Sequence, residues 1–140
     1  MTRILHVLDH SLPLHSGYTF RTRAILKAQA AAGLDVRGIT GIRHFKEGPD
    51  AEECDGILFH RTRGEAKGPV GLREWREINL LADAIIALAD QWRPDVLHAH
   101  SPALCGKAAL IAGRWLGIPV VYEIRAFWED AAVSNGTGSE

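Results

Sequence analysis

Sulfur is scarce in this chain. Cys54 and Cys105 are its two cysteines, far apart and with no C-x-x-C or Cys/His spacing around them. That excludes a disulfide framework and a thiolate metal cluster, and both side chains are expected as reduced thiols. Charge of one sign is lacking too: 16 basic against 17 acidic residues leave a formal net charge of −1, so no bulk field favours nucleic acid or another polyanion. No apolar run approaches the length of a membrane span, and no h-region with a small-residue cleavage site opens the chain. A cytoplasmic location is therefore expected. A G-x-G-x-x-G fingerprint is missing, as is the acidic residue that a dinucleotide site places about twenty positions later. No G-x-S-x-G elbow surrounds Ser16 or Ser101, which weighs against Ser-His-Asp catalysis. Specificity has to come from a local site.

What is present is a chain that is 46% apolar and long enough to bury about two thirds of its unfolded surface. Residues 1–130 are read as one domain and 131–140, small and polar, as a flexible tail. The organising stretch is the beginning. Ile4, Leu5, Val7 and Leu8 form a short apolar run suited to a strand buried on both faces. A polar loop with Pro13, two histidines and Gly17 follows, and then a helix from about Thr19 to Ala32, with Ile25, Ala28 and Ala32 expected on its buried face and Gly33 as its C′ residue. Strand, Gly-bearing loop and helix open many nucleotide-binding βα units. The helix start offers unpaired N–H groups and partial positive charge, and Gly17 permits close approach of a phosphate or carboxylate. Arg21 and Arg23 in the first turns are disfavoured by the helix dipole by about 0.3–1 kcal/mol each. A bound anion would offset that cost; the alternatives are that Gly17 only makes a turn and that both arginines point into water.

Further strands are expected at Val36–Thr40, Gly56–His60, Val96–Pro102 and Val120–Arg125, with Arg43–Asp55 a loop or poorly formed hairpin and Arg61–Gly71 a basic, Gly-rich, solvated loop. The clearest helix runs from about Leu72 to Trp92, with Ile78, Leu81, Ile85, Leu88 and Trp92 as its core stripe; Leu104, Ala108, Ile111 and Trp115 are expected to line another. Alternating strands and helices call for a doubly wound, Rossmann-like α/β fold with a parallel sheet of about five strands in the order 3-2-1-4-5. Ligands bind such sheets at the carboxyl ends of the strands that straddle the switch point. Asp9 to Gly17, His98 to Pro102 and Glu123 to Glu129 converge there. His98 and His100 are expected on opposite sides of the sheet, His100 towards the crevice and His98 in the core, so that a two-histidine metal site is disfavoured even with His10 and His15 nearby.

Three stretches carry a resemblance: residues 10–23 (HSLPLHSGYTFRTR), 94–102 (PDVLHAHSP) and 116–130 (LGIPVVYEIRAFWED). Together they resemble the N-terminal half of a family 4 glycosyltransferase of GT-B fold, most like the bacterial branch associated with exosortase and PEP-CTERM systems. The resemblance implies an acceptor-side domain of a retaining, metal-independent enzyme that uses a nucleotide-sugar donor and a glycan or lipid-linked acceptor in exopolysaccharide or cell-envelope glycan synthesis. It implies no cofactor, no nucleic acid, and contact with the inner face of the membrane. Ser16, Gly17 and Arg21 would meet the donor diphosphate. Arg125 and His100 would be catalytic on the cleft floor, Arg125 standing where many members have histidine and so able to stabilise an anion but not to act as a base. His15, Tyr18, Glu123, Trp128 and Glu129 would shape the acceptor pocket. The donor-gripping domain would lie outside these residues, leaving Val120–Ile124 as an apolar edge prone to self-association. A non-catalytic, flavodoxin-like binding module is the alternative, and a nucleotide-dependent epimerase fragment a weaker one.

Overall fold

The computed structural model describes residues 1–11, 17–44 and 48–124. The elements are β1 (Arg3–Leu8), α1 (Gly17–Ala31), β2 (Asp35–Thr40), β3 (Ala51–Cys54), β4 (Ile57–Arg61), α2 (Val70–Ala89), β5 (Val96–His100), α3 (Ala103–Leu116) and β6 (Val120–Glu123). They form one six-stranded sheet in the order β3-β4-β2-β1-β5-β6. Every pairing is parallel except β3 with β4. The five expected parallel strands thus stand in the expected order, and one strand is added at an edge. That strand, β3, decides between the loop and the poorly formed hairpin expected over Arg43–Asp55 in favour of the hairpin. Asp55 and Gly56 have φ of 54° and 81°, and Cys54 pairs with Ile57, the two-residue hairpin turn in which both central residues need positive φ.

β1 is buried on both faces, and the faces differ. Leu5 and Val7 join Ile39, Leu97 and Ala99 under Leu81, Ile85 and Leu88 of α2 and Ala108 and Ala112 of α3. Leu8 lies on the other face with Leu26 of α1, Val36, Ile57 and Phe59. The α2 stripe is as expected, with Leu81, Ile85, Leu88 and Trp92 buried. The α1 stripe is not. Thr19, Thr22 and Leu26 are its buried residues, while Ala28 and Ala32 are exposed. This face is polar because it meets polar groups: Thr22 Oγ1 donates to the Tyr18 carbonyl at 2.9 Å, and three turns after Thr19 Gln29 reaches His6. Gly33, at φ 93°, ends α1 as expected, with its N–H on the Ala30 carbonyl at 3.0 Å.

The α3 stripe is also rotated. Cys105, Gly106, Ala108, Ala109, Ala112 and Gly113 are buried, whereas Ile111 and Trp115 are 42% and 77% exposed. Small residues let the helix lie close to β6. A Cβ at Gly106 would stand 2.9 Å from a Tyr122 ring carbon, and one at Gly113 would stand 2.6 Å from Val120 Cγ2 and 2.8 Å from the Ile118 carbonyl oxygen. No disulfide joins Cys54 to Cys105, and no helix among the described residues is long and apolar enough to cross a membrane.

Gly113→Ala should therefore cost roughly 1–3 kcal/mol, because backbone as well as side chain opposes the added methyl. Gly71→Ala, in open space at the start of α2, should change stability by less than about 1 kcal/mol. Urea titrations of both variants check the contrast; equal midpoints would remove the close approach of α3 to β6.

Candidate ligand-binding crevice

β1 and β5 are neighbours whose connections leave in opposite directions, β1 through α1 to β2 and β5 through α3 to β6. Their carboxyl ends, Leu8 and His100, therefore flank the switch point. Gly17 is exposed and is the first residue of α1. Arg21 folds back over it, its Nε donating to the Gly17 carbonyl at 3.3 Å, so a guanidinium stays beside the N-terminal end of a 15-residue helix. Arg23 does not share that place, since it is paired with Asp55 in the hairpin turn along with Lys27. Tyr18 ties the helix to the strand end: its hydroxyl accepts the Asp9 N–H at 3.1 Å, and its ring lies 4.6 Å from that of His10. The Asp9 carboxylate in turn meets His10 Nδ1 at 3.0 Å.

Below the strand ends lies a cluster of three imidazoles. His6 is in register with His98, and the rings of His6, His98 and His100 lie 4.5–5.0 Å apart. His98 and His100 share a face. The expectation of opposite faces fails because side chains two residues apart in a strand point the same way. His6 and His100 are fully buried and are joined through His6 Nδ1 and His100 Nε2 at 2.7 Å. His6 Nε2 stands 2.6 Å from Gln29 Oε1, and His98 Nε2 stands 2.9 Å from Glu123 Oε1. Oxygen acceptors at both outer positions fix the tautomers of His6 and His98 as Nε2–H, each with its Nδ1 lone pair left for another partner.

A second network holds Ser11, three residues beyond the end of β1. Arg61 lies at the end of β4, with its side chain 2% exposed. Its Nη1 donates to Ser11 Oγ at 2.7 Å and Thr40 Oγ1 at 3.3 Å, its Nη2 to Glu52 Oε1 at 2.8 Å. Ser11 is gripped a second time, its N–H donating to His44 Nδ1 at 3.4 Å. Burial, and then the positive charge of Arg61, hold the His44 pKa down at about 4. The imidazole is thus neutral, as an accepting Nδ1 requires. Sequence reasoning placed Arg61 in a solvated loop and missed this set. The signal was the alternation of β4, where Arg61 is in phase with buried Ile57 and Phe59. Beyond it, at the carboxyl ends of β2 and β4, a cleft of about 470 Å³ is lined by Ile42 and residues 62–67.

Residues 16–139 match the family model described as a glycosyl transferase 4-like domain. The chain belongs to that family. Among solved structures, the domain is similar to the sucrose-phosphate synthase of Thermosynechococcus elongatus, with a TM-score of 0.69 and 16% identity over 100% of this chain and 36% of that one. It is similar to the glycosyltransferase VinC in complex with DTDP, with a TM-score of 0.54 and 17% identity over 88% of this chain and 34% of that one. A C-terminal domain of PF1911 hydrogenase from Pyrococcus furiosus also superposes, with a TM-score of 0.62 and 15% identity over 87% of this chain and 90% of that one. At such identities the likeness shows the fold alone. No curated protein sequence matches the chain.

Within this glycosyl transferase 4-like domain the strand ends bring Gly17, Tyr18 and Arg21 together on one side of the crevice and His100 and Glu123 on the other. His100 is turned beneath α1 onto His6, and Glu123 onto His98. Expected site residues His15, Ser16, Arg125, Trp128 and Glu129 lie outside the described residues, as does the 131–140 tail.

A pH dependence follows from His44. Its pKa is about 6.5 unfolded and about 4 folded, so the unfolded chain binds the extra proton between those values. The stability it contributes is complete above pH 6.5 and is lost as pH falls towards 4, about 3 kcal/mol in all. His60, whose pKa is lowered by burial and then by Arg37 and Arg61, acts in the same direction. His44→Gln should flatten the fall in unfolding free energy between pH 7 and 4.5; an unchanged slope would show that His44 is not held neutral.

Proposed function

We propose that this domain is the acceptor-side half of a retaining glycosyltransferase that takes a hexose from a nucleotide-sugar donor. Membership of the glycosyl transferase 4-like family gives the reaction class. The observation that carries the rest is Arg21 folded over Gly17 at the start of α1. In sugar transfer the difficult charge is the one that grows on the leaving diphosphate, and fixed donors aimed at it lower the barrier most. A helix N-terminus supplies N–H groups and partial positive charge, and Arg21 adds a full charge in a forked geometry suited to phosphate oxygens. Ser16 would add a hydroxyl from the preceding loop. This assigns the stabilisation of the leaving group to protein groups rather than to a metal ion. The nucleotide named with VinC supports a nucleotide-activated donor.

Tyr18, His15, Trp128 and Glu129 serve in this proposal as acceptor contacts. His100 acts as a positioning residue through His6, Glu123 likewise through His98, and Arg125 as the anion-stabilising group at the crevice floor. The chain spans about a third of the length of sucrose-phosphate synthase and VinC, so the main grip on the donor is assigned to a second domain of the kind that completes those chains. The segments 10–23 and 116–130 further support the exosortase-associated bacterial branch, a cytoplasmic location, a glycan or lipid-linked acceptor, work at the inner membrane face and a role in exopolysaccharide or envelope glycan synthesis.

Two measurements test the proposal. Sulfate or phosphate should raise the melting temperature of the 140-residue chain by mass action, and Arg21→Ala should remove most of that rise; an undiminished shift would take Arg21 out of the site. The same chain incubated with UDP-, GDP- and ADP-sugars should release no nucleotide above a buffer blank. Turnover by the domain alone would overturn the division of labour between two domains.

β6 is an edge strand on which Val121 and Tyr122, and Ile124 just beyond, are exposed. Unpaired edge amides beside apolar side chains favour pairing with another strand, and we expect Val120–Ile124 to mediate self-association. Light scattering across a concentration series should show a rising mass, and Val121→Lys should abolish the rise. A strict monomer at every concentration would show the edge to be tolerated.

A further inference from the structure

We propose that His6, His98 and His100 form a binding site for a divalent transition metal ion of the zinc class, set into the α1 face of the sheet below the crevice. It rests on observations other than those behind the transfer function, although His100 and Glu123 serve both, and it plays no part in stabilising the leaving group. Each of the three residues offers one ring nitrogen, and these nitrogens lie within 4.8 Å of one another. Three imidazoles are a donor set that suits zinc, copper or nickel, and a zinc site with three histidines leaves a fourth position for water or a carboxylate.

Three further observations point to a ligand. The first is the outer shell. Ligating histidines characteristically give their other N–H to a carboxylate or an amide oxygen, which fixes the tautomer and makes the ligating nitrogen a better donor. Here Gln29 Oε1 takes that place for His6 and Glu123 Oε1 for His98. The second is the 2.7 Å contact between His6 Nδ1 and His100 Nε2, where one proton already draws two ring nitrogens to a common point. Tetrahedral coordination with metal–nitrogen distances of about 2.0–2.1 Å separates ligand nitrogens by about 3.3 Å, so the pair opens by about 0.6 Å to admit an ion. The proton that leaves His100 Nε2 moves to its Nδ1, and the ring stays neutral. The third is access. His98, with its side chain 14% exposed beside half-buried Glu123, covers the other two rings and can tilt out of the stack to let the ion in.

The ion would clamp β1 to β5 and, through His98 and Glu123, to the end of β6. Glu123, hydrogen-bonded to the cluster through His98, lies where it can offset the charge of the ion.

The test is titration of the 140-residue chain with Zn²⁺, and with Co²⁺ as a spectroscopic probe. Expected are saturation at one equivalent, a rise in melting temperature with Zn²⁺, and the visible bands of tetrahedral Co²⁺. His98→Ala, at the partly exposed member, should abolish all three. Gln29→Leu, which touches no ligating nitrogen, should weaken binding at least tenfold, and His60→Ala should leave it unchanged. If His98→Ala folds poorly on circular dichroism, Gln29→Leu and nitrogen-15 spectra of the imidazoles, which should report loss of the His100 Nε2 proton on metal addition, decide the matter. Absence of saturable binding, or binding that survives His98→Ala on a folded chain, would overturn the site.

Discussion

A buried imidazole has to be satisfied on both nitrogens, and in this sheet that requirement fixes where α1 lies. His6 is in the central strand with no access to water, and it is satisfied by His100 on one side and Gln29 on the other. Leaving such a group without a partner costs about 1–3 kcal/mol, as much as burying a large aliphatic side chain contributes. The bond to Gln29 therefore sets the rotation and height of a helix whose sheet-facing residues are mostly polar and specify little by packing. Gly17 is twelve residues earlier, about 18 Å up the axis. At that end the Tyr18 hydroxyl on the Asp9 amide fastens the helix again. Polar contacts thus hold α1 in place at both of its ends.

The apolar half of this architecture was legible in the sequence. The β1 run, the α2 stripe, the order of the parallel strands and the α1 terminator Gly33 all follow from period and punctuation. What was not legible is instructive in each case. The α1 stripe is Thr19, Thr22 and Gln29 around the single buried apolar residue Leu26, too little for hydrophobic periodicity to register, and the α3 stripe is alanine and glycine with Cys105, chosen for closeness rather than bulk. The polar residues of Arg43–Asp55 left loop and hairpin equally open, although Asp55-Gly56 marks the turn of the β3–β4 hairpin. That His98 and His100 share a face follows from their spacing alone; that His6 meets them depends on the register of β1 against β5, which no local pattern carries. The Arg61 network needs three strand ends brought together, although its phase in β4 marked the side chain as buried.

The two faces of the sheet thus divide the labour. Under α2 and α3 the packing is apolar and tight, and it tolerates little change at Gly106 or Gly113. On the α1 face, and around Ser11, stability depends on hydrogen bonds whose geometry is directional. Those bonds converge on the segments entering and leaving the crevice, Ser11 before it, Tyr18 after it and Glu123 across from it. Such a division lets the loops change while the strands that carry them stay fixed.

The two margins of the sheet are unlike. β3 presents four residues, two of them Glu52 and Glu53, and so combines short length with like charge, which discourages another strand from adding there. β6 is equally short but turns Val121 and Tyr122 outward, where β3 carries its glutamates. Two copies meeting at β6 across a two-fold axis would use up the open margin of each and present only the acidic margins outward. An assembly built this way would close at two subunits instead of extending strand by strand.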